Sequence, residues 1–256
     1  MINTKDIADE IVSGLQFELK KHSLPSFKSI YILGSYCRGD WLNCSSDLDI
    51  HTIYNDESMA TKNKDFALLK HIVDDILNNR EFPSHCPGGI EYGFNRFQDV
   101  PKTYESACIP SPYAPFSICM FDLKENHITV YGSDLNNILP PHPDPKSHAK
   151  QWLSYLVKRI SEIDEDNFRI PFITYKAITA AQMHFGKPSI NKYRILELYQ
   201  KHIPHFPMKH YGEIVIRNYL GSIYPNRLPV HMEKADCMEF LDELLAITKK
   251  HQAVNF

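Results

Sequence analysis

The stretch Ser29-Ile30-Tyr31-Ile32-Leu33-Gly34-Ser35, followed after a polar loop by Ser46-Asp47-Leu48-Asp49-Ile50, sets the reading of the first half of the chain. A short apolar run ending at glycine reads as a strand that turns sharply. Glycine tolerates a left-handed backbone and carries no side chain, so at Gly34 the main chain can bend and approach a bulky ligand. The backbone N–H groups beside it and the Ser35 hydroxyl then suit phosphate oxygens, and a following helix adds its positive end. The next strand is read over Asp47 to Tyr54. Alternate strand residues share a face, which puts Asp47, Asp49 and His51 on one side. Leu48, Ile50 and Thr52 take the other, the side that can be buried. Two carboxylates about 7 Å apart on one face repel each other unless a cation lies between them. Oxygen ligands on a rigid scaffold suit Mg²⁺.

Outward from this stretch, Thr4 to His22 reads as a helix with Ile7, Ile11, Leu15 and Leu19 stacked on one face. Lys64 to Asn79 is an amphipathic helix through Phe66, Leu69, Ile72, Val73 and Ile76. Gly89 to Asn95 and Ile128 to Tyr131 read as further strands, and Phe116 to His127 has no clear period. Helices and strands in this order describe an α/β or α+β domain with a mixed sheet over residues 1–140. The prolines of Leu139-Pro140-Pro141-His142-Pro143-Asp144-Pro145 mark a stiff boundary. Residues 146–256 then read as an all-α bundle, with helices over 146–163 and near 170–185, 191–201, 208–220 and 233–250.

With 256 residues and 43% apolar content, the chain can bury a substantial core. A net charge of −3 provides no field for nucleic acid or an anionic membrane, so neither is expected as a partner. The six cysteines show neither C-x-x-C nor histidine-paired spacing, which argues against a zinc site or a disulfide framework. Asn3-Thr4-Lys5-Asp6 leads into an acidic helix rather than a targeting segment, and no apolar run approaches membrane-spanning length. The expectation is a soluble, cytoplasmic protein.

Gly34-Ser35, Arg38-Gly39 and Ser46-Asp47-Leu48-Asp49-Ile50 together resemble the signature of the polymerase-beta-like nucleotidyltransferase superfamily. The layout is most similar to the adenylyltransferases that modify streptomycin, spectinomycin and related aminoglycosides, which join a nucleotidyltransferase domain to a helical one. One departure is a Ser35–Asp47 loop one residue longer than usual. The resemblance implies an enzyme that uses one or two Mg²⁺ ions on Asp47 and Asp49. It would transfer the adenylyl group of ATP to a hydroxyl of a small acceptor. It also implies a third carboxylate, metal ligand or general base, on a neighbouring strand. Glu91, Asp99 and Asp122 are available. Glu91 is preferred because Ile90, Tyr92 and Phe94 alternate onto one face, leaving Glu91 on the other beside the small Gly93, as suits a cleft. Asp122 is the reserve.

Gly34 and Ser35 are expected at the nucleotide. Arg38 is expected either on phosphate or facing solvent. Gly186-Lys187-Pro188-Ser189-Ile190-Asn191-Lys192 resembles a Gly-Lys turn with a second lysine in the family's helical domain. That implies a phosphate-reaching Lys192 at a helix start. Glu162, Asp164, Glu165 and Asp166 form an acidic run of the kind that attracts a cationic acceptor, or that simply solvates a loop. His51 reads as structural. Gly132-Ser133-Asp134 reads as a strand-ending turn, and His202, His205 and His210 fit no helical metal pair. Two other readings remain: a nucleotidyltransferase acting on a protein or nucleotide acceptor, and a non-catalytic nucleotide-binding module.

Overall fold

In a computed structural model the described residues are 3–55, 59–83, 89–100, 124–134, 136, 145–164, 169–186, 189–221 and 233–253. They divide into two compact units, one holding a sheet with three helices, the other the helices from Pro145 onward. Asp122, Glu165, Asp166, Lys187 and the 139–144 part of the proline-rich boundary lie outside the described residues.

The first unit opens with α1 (Thr4–Glu18), continued by a 3-10 turn over Leu19–Lys21. Asn3 caps α1 through its side chain, which accepts the Lys5 N–H at 3.2 Å. Ile7, Ile11, Leu15 and Leu19 are all buried, as their spacing predicts. The strands are β1 (Phe27–Leu33), β2 (Leu48–Tyr54), β3 (Ile90–Arg96) and β4 (Ile128–Gly132). A short helix α2 (Gly34–Arg38) follows β1 directly, and α3 (Met59–Leu77) separates β2 from β3. The sheet is mixed, in the order β3-β2-β1-β4. β1 runs antiparallel to β2 and β4, whereas β2 and β3 are parallel, which requires the crossover that α3 supplies.

One face of the sheet is the core. Ile30, Ile32, Leu48, Ile50 and Ile90 pack there against Ile11 and Leu15 of α1 and Leu69 and Val73 of α3. The apolar alternation of β3 is only half used, because β3 is an edge strand. Phe94 is 59% exposed and meets the Phe66 ring in an edge-on arrangement, at 5.6 Å between centroids. With the core claiming one face, the odd-numbered residues of β2 are committed to the other. Register then aligns two rows across that opposite face, Leu33–Asp49–Glu91 and Tyr31–His51–Gly93.

The second unit contains α4 (Pro145–Ser161), α5 (Arg169–Phe185), α6 (Ile195–His202), α7 (Lys209–Tyr219) and α8 (Lys234–Ala253). α5 is central and packs against each of the other four. Its fully buried Ala177, Ala180 and Ala181 let those neighbours approach closely. Lys192 is not at the start of a helix, contrary to expectation, but in a turn before Ile195. The cause is local: the Asn191 side chain accepts the Tyr193 N–H at 3.0 Å and its carbonyl accepts the Arg194 N–H at 3.1 Å. Such an Asx turn competes with helical bonding. No helix among the described residues is long and apolar enough to cross a membrane.

Candidate metal centre

Asp47 immediately precedes β2, Asp49 lies within it, and Glu91 is the register partner of Asp49 on β3. One carboxylate oxygen from each lies within 4.8 Å of the other two. Asp47 and Asp49 are half-buried and Glu91 is exposed. Parallel pairing produces this convergence, since it sets Asp49 and Glu91 side by side on the face that the core leaves free. The donor set is all oxygen and anionic, on adjacent strands, and fits a hard divalent cation such as Mg²⁺.

The corner between β1 and α2 completes the centre. Gly34 has φ +72°, a left-handed conformation that favours glycine. A Cβ placed there would lie 1.7 Å from Oδ2 of Asp49. The space left by the absent side chain is therefore taken by the Asp49 carboxylate rather than standing open for a ligand, which refines the sequence reading. Ser35 is buried, and its carbonyl accepts the Asp40 N–H at 3.1 Å.

The Arg38 side chain is 10% exposed and faces Asp40 rather than open solvent. Its Nε donates to Oδ2 of Asp40 at 3.3 Å and its terminal nitrogen lies 3.3 Å from Oδ1. Asp40 has no solvent exposure. A buried carboxylate needs a charged or hydrogen-bonded partner, and Arg38 is drawn inward to provide it. The rest of the loop is tied down by polar contacts, one to the distant start of α1 and one within the loop. The Asn43 side chain accepts from the N–H and hydroxyl of Thr4, at 2.7 and 2.9 Å. The Ser46 hydroxyl accepts the Leu42 N–H at 2.9 Å. These bonds anchor the loop to the start of α1 and close it on itself ahead of Asp47.

Beside Glu91, the cleft expected from Gly93 is filled. A Cβ at Gly93 would lie 2.4 Å from Nδ1 of His51, so the imidazole occupies that position. Nε2 of His51 has no solvent exposure. Burial disfavours the charged ring and pushes the His51 pKa down from 6.5 to about 4. An unfolded chain takes up this proton near pH 6.5, whereas the folded protein does so only near 4. Between those values the unfolded state binds more protons, so stability falls as pH drops. The loss is about 2 kcal/mol by pH 5 and about 3 kcal/mol by pH 4. Urea unfolding of the metal-free protein from pH 7.5 to 4.5, compared with His51→Gln, measures it. The variant should show a shallower decline; equal slopes would remove the assignment.

The remaining candidates are dispersed. Asp99 pairs with Arg96 at 2.8 Å on the exposed edge and does not join the carboxylates. Glu162 faces Lys158 and Arg159 at 3.7 and 3.9 Å, which offsets the charge of the acidic run. Gly132 turns the chain at the end of β4 with φ +74°, and Asp134 lies 3.3 Å from His127. Asp47, Asp49 and Glu91 form the one three-carboxylate or His/Cys cluster of metal-binding geometry among the described residues. No known protein-family model matches this chain, and no curated protein matches it.

Proposed function

We propose that the protein is a Mg²⁺-dependent nucleotidyltransferase that moves the adenylyl group of ATP to a hydroxyl of a small acceptor, with an aminoglycoside-like antibiotic as the class to test first. The observation that carries this reading is the convergence of Asp47, Asp49 and Glu91 within 4.8 Å beside the strand–Gly34–helix corner. Half-buried Asp47 and Asp49 would hold the cation, which supplies charge neutralisation at the triphosphate. The Ser35 hydroxyl and neighbouring main chain would bind the terminal phosphates. Glu91, the most exposed of the three, faces solvent, where an acceptor can arrive. It would take the proton as the acceptor oxygen bonds to the α-phosphorus. The bond from that phosphorus to the bridging oxygen breaks, and pyrophosphate leaves.

Pyrophosphate release from Mg-ATP with a panel of aminoglycosides, spectinomycin and lincosamides tests the proposal, with Asp47→Asn as the comparison. Acceptor-dependent release in the wild type and its loss in the variant are the expected results. Metal-dependent ATP binding without release for any drug would overturn the antibiotic acceptor and turn the search to protein or nucleotide hydroxyls. Neither binding nor release would overturn the enzyme reading itself.

A further inference from the structure

We infer that His51 is a positioning residue for Glu91, and that position 93 is glycine so that the imidazole can stand beside that carboxylate. The inference rests on the reading of Asp47, Asp49 and Glu91 as a cation site.

Glu91 and Gly93 are successive residues on one face of β3, about 6.6 Å apart along the strand. A side chain at 93 would ordinarily flank Glu91. The slot is occupied instead from the neighbouring strand: Nδ1, Cε1 and Cγ of His51 lie 2.4, 3.0 and 3.5 Å from where a Cβ would stand. Gly93 does not have the left-handed backbone that favours glycine, so conformation does not dictate its identity. Room for the ring does. On its other flank His51 pairs in register with Tyr31, which is fully buried and donates its hydroxyl to the Ser133 carbonyl at 3.0 Å. Tyr31 thus fills the β1 flank of His51, and the ring stands over β3.

The consequence falls on Glu91. An exposed glutamate on an edge strand has three side-chain torsions, and converging on two aspartates costs it that freedom. A flat ring held at the Gly93 position, next along β3 from Glu91, removes the rotamers that lean that way. Outer-shell residues that orient metal ligands by hydrogen bonds typically change metal affinity by about 10- to 100-fold, and steric confinement is expected at the lower end of that range.

Mn²⁺ binding to the full-length protein, followed by electron paramagnetic resonance below the unfolding temperature, tests this with a cycle of His51→Ala, Gly93→Ala and the double variant. Each single variant should weaken Mn²⁺ binding about tenfold. The first opens the slot, and the second forces the ring out of it. In the double variant the methyl group enters an empty slot, so Gly93→Ala should add less than about twofold to the loss from His51→Ala. Equal Mn²⁺ affinity in wild type and His51→Ala, with both folded by circular dichroism, would overturn the inference and leave the cation site standing. Additive losses would overturn the shared slot. A wild type that binds no Mn²⁺ would remove the cation site and this inference together.

Discussion

Asp49→Asn should abolish cation binding at the carboxylate centre and reduce the proposed nucleotidyl transfer by on the order of 10³-fold, with the fold intact. The substitution is nearly isosteric, so the amide can occupy the corner against Gly34 where Oδ2 now sits. The loss is electrostatic. In the metal-free protein three carboxylates within 4.8 Å repel one another, and neutralising the central one relieves this. The metal-free variant should therefore melt at or above the wild-type temperature near pH 7. Mg²⁺ should separate the two proteins. At a concentration 100 times its dissociation constant, a ligand that binds only the folded state stabilises it by about 2.7 kcal/mol. Wild type should gain a corresponding upward shift in melting temperature, and Asp49→Asn none. Equal Mg²⁺ shifts in both would mean that the cation binds elsewhere.

Much of the fold is legible in the sequence because its signals are local. The 3.6-residue period of Ile7, Ile11, Leu15 and Leu19 and the alternation of Leu48, Ile50 and Thr52 each state which face is buried. Exposed Phe94 shows the limit of that reasoning. Its alternation is as good as that of Ile90, but alternation carries no information on whether a strand is central or at an edge. Lys192 shows another limit, since an Asx turn at Asn191 wins over helix extension across only a few residues.

The carboxylate face is legible from the spacing of Asp47 and Asp49 together with the strand–Gly34–Ser35 run upstream and the apolar Leu48 and Ile50 between and beside them. What spacing does not state is register. Glu91 could be assigned a direction along β3 but not a partner, and only the parallel pairing of β3 with β2 sets it opposite Asp49. Without register the relation of His51 to Gly93 is equally invisible, and a small residue beside Glu91 suggests a cleft where a ring stands. Arg38 was obscure because its partner Asp40 lies only two residues away, where sequence gives no sign that a carboxylate turns inward. The physical division is simple. Periodicity reports the environment of a side chain, and tertiary pairing decides its neighbour.

Gly34→Ala should be the most damaging small substitution at the centre, costing about 2–4 kcal/mol of stability together with cation affinity. Two effects combine. A residue with a Cβ held at φ +72° carries about 1–2 kcal/mol of backbone strain. The new methyl group would also stand 1.7 Å from Oδ2 of Asp49, about half an ordinary non-bonded separation, so the carboxylate or the β1–β2 pairing must shift. Gly39 separates the two terms. It has φ +73°, but a Cβ there meets nothing within 4 Å. Gly39→Ala should therefore show the strain alone, with Mn²⁺ affinity unchanged. Adding Asp49→Ala to Gly34→Ala removes the obstructing oxygen and should return stability to near the Gly39→Ala level. Denaturant unfolding and Mn²⁺ titration of the four proteins measure both quantities. If Gly34→Ala behaves like Gly39→Ala in both, the carboxylate does not rest on the Gly34 backbone, and the corner is open to a ligand after all.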